Sequence, residues 1–403
     1  MTTPPPSLLD DRTEIAIVGG GLAGGLIALA LRQARPELQV RLIEAGDALG
    51  GNHRWSWFDS DLDADGRALL DGFRTVAWQG YSVRFPAMRR DLTSPYNSLA
   101  SADFDAGLRR MLGQDAIHTA SPVAQLDERG VTLESGQRTT ARAVIDCRGA
   151  VPTPHLQGGW QVFMGRHVRT PAPHGLERPI VIDADVTQHD AYRFVYTLPL
   201  KTDELFVEDT YYADAPVLDR NALSGRIDRY VQANDWQGEI LGGETGILPV
   251  ITGGDFSAYQ RAVATPGVGM AGARGGFVHP LTSYTVPFAV ELALAIAAEA
   301  DLPGAQMAAL LEARARRHWR KTKFYRTLGR MLFGAAQPNE RYRVLQRHYT
   351  LKTGLIERFY AGQSHFADKA RILAGKPPVP VTRALHALAT SGAPLVSQTE
   401  KIG

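Results

Sequence analysis

Cysteine is almost absent from this chain. Among 403 residues there is one, Cys147, so no disulfide closes within the chain, and a reducing, cytoplasmic home is expected. Excess charge of either sign is also missing. Lys and Arg number 44 against 42 Asp and Glu, a formal net charge of +2, too little for general attraction to nucleic acid. No apolar run approaches the about eighteen residues that span a bilayer. The longest, 289–300, is short and carries Glu291 and Glu299. Met1 to Arg12 is proline-rich and then acidic, without the basic flank and apolar stretch of a secretion leader. No His/Cys cluster has the spacing of metal ligands, so no metal is expected. Repeats and low-complexity stretches are lacking too. A chain of this length buries a large core and is expected to form two or three domains.

What is present begins with Ile15-Ala16-Ile17-Val18-Gly19-Gly20-Gly21-Leu22-Ala23-Gly24. A short apolar strand runs into G-x-G-x-x-G, an apolar helix follows from Leu22 to Leu31, and a second strand, Val40 to Ile43, ends at Glu44. Strand, helix and acid in register make a dinucleotide fingerprint rather than a glycine-rich turn of an ordinary α/β domain. Gly19 permits the tight turn. Gly21 lets the backbone reach a pyrophosphate at the helix N-terminus, where Leu22 and Ala23 begin the helix. Gly24 lets helix and strand pack closely. Glu44 accepts from a ribose hydroxyl and disfavours a 2′-phosphate.

A second glycine element, Gly267-Val268-Gly269-Met270-Ala271-Gly272-Ala273, precedes an apolar helix from Phe288 to Ala298. A simple NAD domain does not need it. FAD does, because its isoalloxazine is held far from its adenosine. Between the two elements the chain changes character. Trp160 to Val168 alternates, Ile180 to Asp183 is an apolar run, and Tyr192 to Leu200 and Glu204 to Tyr212 flank a turn as a hairpin. Gly242 to Val250 adds another candidate strand. The expected architecture is α/β: a Rossmann-like FAD-binding domain from 13–156 and 263–300, an antiparallel-sheet substrate domain at 157–262, and a helical, membrane-associating region at 301–403.

The 312–335 segment is the second informative feature. Eight Arg and Lys from Arg314 to Arg330 interleave with Leu311, Ala315, Trp319, Phe324, Leu328 and Leu332, and no acid lies between Arg314 and Phe333. The spacing predicts a basic amphipathic helix suited to a lipid headgroup zone. The competing reading is a helix packed on the protein core with a solvated basic side.

Several motifs together resemble the bacterial lycopene beta-cyclases: Gly51-Asn52-His53-Arg54-Trp55-Ser56, Phe194 to Leu200, Val207-Glu208-Asp209-Thr210-Tyr211-Tyr212, His279-Pro280-Leu281-Thr282-Ser283-Tyr284, and Ile356 to Gly362. The resemblance runs from residue 13 to about 390. It implies an FAD-binding fold, a flavin reduced by NADPH or NADH, and a membrane-soluble polyene substrate; since such a substrate cannot cross water, a peripheral membrane association is expected. It further implies a non-redox cyclisation of lycopene, through gamma-carotene, to beta-carotene. Two departures stand out. Many related flavoproteins have Gly-Asp-Ala in the second glycine element, where this chain has Ala271-Gly272-Ala273, so that the cofactor contact at Gly272 must come from backbone or be supplied from elsewhere. The plant-type pair of adjacent glutamates is here Glu208-Asp209.

Ring closure requires protonation of an alkene, a very poor base, and passes through a carbocation. An acid in a dry cavity is needed, with negative charge nearby. Glu208 and Asp209 sit in an apolar strand, whose successive side chains face opposite sides, so only one of them can face the substrate. The resemblance favours Glu208 as acid/base and Asp209 as a supporting acid. His279 and Pro280 are expected near the flavin, His279 without a proton role. Trp55, Tyr196 and Tyr284 are candidates to line the polyene site, though core packing is the commoner fate of an aromatic. Two other classes remain open at this level: a flavin redox enzyme such as a hydroxylase or polyprenyl reductase, and a non-catalytic carotenoid carrier.

Overall fold

The computed structural model describes residues 12–396. Residues 1–11, where no secretion leader was expected, and 397–403, the end of the expected helical region, lie outside it. The first strand, Arg12–Val18, is central in a mainly parallel sheet, between Val40–Ile43 and Arg138–Asp146. Ile15 and Ile17 pack into the main core cluster on one face. Ala16 and Val18 pack with Val131 and Val144 on the other. Burial on both faces explains why this strand reads as an unbroken apolar run. Gly269–Met270 adds a short parallel strand beside Ile145 and Asp146, so the two glycine elements meet on one sheet.

The helix Leu22–Ala34 is buried along its whole first ten residues, as an all-apolar helix must be. It packs against Val286–Ala298. At Gly24 an added Cβ would lie 2.0 Å from the Gly19 carbonyl oxygen, and at Gly25 it would lie 2.5 Å from the Phe104 ring.

An eight-stranded sheet forms the second layer. Its order is Glu239–Gly254, Thr153–Arg169, Glu204–Ala213, Tyr192–Lys201, Ile180–Asp183, Tyr81–Phe85, Met88–Leu92, with Pro394–Leu395 paired to Thr153–Arg169. The 192–201 and 204–213 strands form the hairpin read from the sequence. The boundary expected at residue 157 does not mark an edge of this sheet. Thr153–Arg169 starts earlier, and the strands at 81–92 enter from the first segment, one of them parallel to Ile180–Asp183. Long-range pairing of this kind leaves no local sequence signal.

The 312–335 segment also differs from expectation. It is two helices, Gly304–Lys321 and Lys323–Ala335, broken at Thr322. The Thr322 hydroxyl donates to the His318 carbonyl at 2.7 Å and accepts from Arg326 at 2.8 Å. Arg326 is buried and lies 3.6 Å over the Trp319 ring, which stacks on Phe256 at 4.7 Å. Leu311, Ala315 and Leu332 are buried, and Phe324, Leu328 and Phe333 pack on the second core cluster. The apolar stripe therefore faces the protein.

Gly24→Ala should lower the unfolding free energy by about 1–3 kcal/mol or more, since backbone rather than a flexible side chain blocks the methyl group. A urea unfolding curve measures this, and an unchanged midpoint would contradict the close helix–strand approach.

Candidate active site

A cavity of about 750 Å³ runs from the glycine motifs to the inner face of the large sheet. Gly19, Gly21, Leu22, Ala23, Glu44 and Arg148 line one end, Trp55, Gly272 and Pro280 line it farther in, and Tyr196, Glu208, Glu244 and Tyr284 line the sheet side.

The glycine end has room for a dinucleotide. Gly21 caps the helix Leu22–Ala34, and a Cβ added there would meet nothing within 4 Å. Bare backbone at a helix N-terminus thus borders open space, the arrangement that accepts phosphate oxygens. Glu44 is fixed by accepting from Gly20 N–H at 2.6 Å and Gly46 N–H at 2.8 Å, and a carboxylate keeps further lone pairs for a ribose hydroxyl. Gly19 has φ +102°, and a Cβ there would strike the 147–148 backbone at 2.8 Å. Gly272 has φ +56°, and its Cβ would fall 2.7 Å from that of Ala23, so the two glycine elements touch. Arg148 is held by two hydrogen bonds to Asp146, at 2.9 and 2.8 Å.

His279 takes another role. It is fully buried and does not line the cavity, although Pro280 does. Its Nδ1 accepts from the Leu281 and Thr282 N–H groups at 3.3 and 3.1 Å, and Nε2 donates to the Phe359 carbonyl at 3.1 Å. Burial pushes its pKa down to about 3. The neutral ring holds the 279–284 turn that carries Pro280 and Tyr284 to the cavity.

The acidic pair splits as strand alternation requires. Asp209 is fully buried on the side away from the cavity, accepting from Arg193 Nε and from the Tyr211 hydroxyl, both at 2.6 Å. Glu208 faces the cavity and accepts from the Thr210 hydroxyl at 2.7 Å. Its partner there is Glu244, which no sequence motif singled out. Gly165 on the intervening strand is in register with both glutamates, and Tyr196 is in register with Glu208 on the far side. Tyr196, Glu208, Gly165 and Glu244 therefore form one row across adjacent strands. A Cβ at Gly165 would strike the Phe206 ring at 2.3 Å, so only glycine leaves the two carboxyls free to meet across it.

Both glutamates are pushed above the ordinary carboxylate range. For Glu208 the main cause is burial, and the charge of Asp209 adds to it. For Glu244 it is burial and then the facing charge of Glu208. Two close carboxyls in a low dielectric retain a proton between them. Arg54 partly offsets the charge of Glu244 from its position over the Phe206 ring, at 5.5 Å, and burial lowers its own pKa. Beside the glutamates runs a chain of hydroxyls: Ser56 to Tyr196 at 2.7 Å, Tyr196 to Tyr96 at 3.0 Å, and Tyr96 to Tyr284 at 2.8 Å. Tyr360 lies against Tyr284 with ring centroids 5.4 Å apart. Trp55, Tyr196 and Tyr284 all reach the cavity. Glu244, Arg54, Tyr96 and Tyr360 join them without having been selected from sequence. For Glu244 the available signal was one acid in a candidate strand broken by glycines.

A carboxyl whose folded pKa is raised contributes stability that is complete below its unfolded value, near ~4.3, and is lost as pH rises through the folded value. Glu244→Gln removes that loss. Relative to the native chain, its melting midpoint should gain about 1–4 °C between pH 5 and pH 8.5, and a gap that does not widen with pH would refute the shared proton. Asp209→Asn leaves Arg193 buried without its counter-charge and should cost about 3–5 kcal/mol, read by chemical denaturation.

The chain matches the family model for "Lycopene cyclase protein" over residues 14–386. It is 44% identical over 375 residues to a lycopene beta-cyclase of Pseudescherichia vulneris, covering 93% of this chain and 96% of that protein. It is 40% identical over 381 residues to a lycopene beta-cyclase of Pantoea ananas, covering 94% and 98%. Among solved structures it is similar to a geranylgeranyl bacteriochlorophyll reductase-like protein of Thermoplasma acidophilum, with TM-score 0.62, 12% identity and coverage of 94% and 99%. It is also similar to Klebsiella pneumoniae HpxO complexed with FAD and uric acid, with TM-score 0.60, 15% identity and coverage of 91% and 98%. At these identities the structural likeness carries the fold alone.

Proposed function

This chain belongs to the lycopene cyclase family, and on that premise we propose that it closes the linear ends of lycopene into beta-ionone rings, giving gamma-carotene and then beta-carotene without net redox change. The observation that carries this reading is the buried glutamate pair, Glu208 and Glu244, side by side and facing an aromatic-lined cavity continuous with a dinucleotide-shaped end, with both carboxyls pushed above the ordinary range by burial. The family relationship and the cavity together favour FAD as the resident cofactor, held by Gly19, Gly21, Leu22, Ala23, Glu44 and Gly272, with Gly24 allowing the close helix–strand packing behind them, and kept reduced by NADPH or NADH. When bound and reduced, FAD supplies delocalised negative charge to a site where a cation forms.

The chain's own residues supply the proton chemistry. Apolar and aromatic walls exclude the water that would quench a carbocation. The glutamate pair delivers its shared proton to the terminal double bond. The adjacent double bond attacks the resulting cation, and the six-membered ring forms. The pair, now fully ionised, stabilises the positive charge electrostatically, and the faces of Tyr196, Tyr284 and Trp55 add cation–π attraction. A proton lost from the ring returns to the pair, so the acid is regenerated with no proton consumed. Asp209 acts at a distance, fixing the strand through Arg193 and Tyr211.

Activity requires the proton, so turnover should fall as pH rises through the upper titration of the pair. Glu208→Gln and Glu244→Gln should each lower kcat by about 10²-fold or more. The reading as a whole is tested by incubating the protein anaerobically with FAD, NADPH and lycopene in liposomes. Beta-carotene formed over many turnovers per NADPH oxidised is the expected result. Product that appears only with stoichiometric NADPH loss, or only with oxygen, would instead assign a flavin redox enzyme.

A further inference from the structure

Nine large hydrophobic side chains are exposed among the described residues, and six of them fall between 366 and 396. Phe366 is 86% exposed, Leu373 58%, Val381 58% and Leu385 62%. They are ordered by helix geometry. Phe366 and Leu373 are seven apart on the helix Phe366–Leu373, whose other side buries Asp368 and Ile372. Val381, Leu385 and Leu388 follow a four-then-three spacing on the helix Val381–Ala389, whose buried residue is Ala387. Residues spaced in this way share a helix face. The helix Val381–Ala389 rests on Lys323–Ala335, with Ala387 closing on Gly334 near its end, while Phe366–Leu373 touches the start of the same helix through Lys369, 5.7 Å over the Phe324 ring.

The charge on this segment has one sign. From 361 to 396 the chain carries Lys369, Arg371, Lys376 and Arg383 against a single acid, Asp368. That acid is buried and held by two hydrogen bonds from Arg358, both 2.7 Å. The surface offered is therefore apolar residues among cations.

We propose that the two helices Phe366–Leu373 and Val381–Ala389, rather than the 312–335 segment, present the surface by which this protein docks on an anionic lipid surface. Apolar residues insert at the headgroup boundary while Lys and Arg meet the headgroup charge. A second copy of the same face would bring like charges together. The underlying helix contributes Leu332 to the cavity wall, and Leu395, next to exposed Val396, contributes as well, so one helix layer separates lipid from cavity. The purpose of docking rests on the cyclase reading, since a polyene does not cross water. The docking itself does not depend on that reading.

The test is co-sedimentation with vesicles of phosphatidylglycerol and phosphatidylcholine in equal parts, without carotenoid. The double variant Phe366→Glu/Leu385→Glu should lose binding by at least about tenfold, whereas Arg317→Glu/Arg320→Glu, on the exposed basic side of 304–321, should lose much less. Turnover of lycopene presented in those vesicles should fall with binding, and turnover of detergent-dispersed lycopene should hold. If no cyclisation occurs in detergent with the native chain, the functional reading fails while the vesicle result still decides the docking face. Should the double variant misfold, Phe366→Trp gives a second readout: its indole emission should shift to the blue on adding anionic vesicles. Unchanged sedimentation of the double variant, no blue shift, binding indifferent to lipid charge, or a native dimer that the double variant dissociates would each overturn the proposal.

Discussion

Two carboxyls buried side by side retain a proton, because exclusion from water disfavours the charged form and each repels charge on the other. The rest of this structure is organised around that constraint. Glu208 and Glu244 are placed on strands that flank Thr153–Arg169, and Gly165 between them presents no side chain. The sheet thus brings together two acids that are 36 residues apart in the chain. Burying them side by side is destabilising in itself, the kind of conflict between stability and function found at active sites. Asp209, one residue from Glu208, avoids the conflict by ion pairing with Arg193.

The same cavity joins two layers of different construction. At one end, parallel strands buried on both faces present glycines and bare backbone at a helix N-terminus. At the other, an antiparallel sheet offers carboxyls and phenols from alternate positions. The 279–284 turn connects them. His279, neutral and fully hydrogen-bonded, fixes a loop whose neighbours Pro280 and Tyr284 touch the cavity. A conspicuous histidine near a cofactor site serves here as scaffold because burial removes its charge.

The helical C-terminal part shows how a pattern in sequence can leave undecided what its apolar side covers. Basic residues alternating with aromatics at 312–335 have the composition of a membrane-surface helix, yet Thr322 breaks the run. Arg326 then folds back over Trp319, and the apolar stripe packs inward. Composition and periodicity report that a helix has an apolar side. They do not report what covers it.

The sequence by itself determined the dinucleotide end. Its signals are local, a glycine spacing, a buried strand and an acid, and local geometry forces their meaning. It also determined that only one of Glu208 and Asp209 could face a substrate, because strand alternation is a property of adjacent residues, and the family resemblance favoured Glu208. Only the tertiary structure decided that Glu244 completes the acid pair, that Arg54 and the Tyr96–Tyr284 hydroxyls stand beside it, that the large sheet borrows strands from 81–92, and that the exposed apolar face lies at 366–388. Each of these depends on strand register or helix docking between segments far apart in the chain. Those relations are set by the packing of the whole core and leave no trace in neighbouring residues.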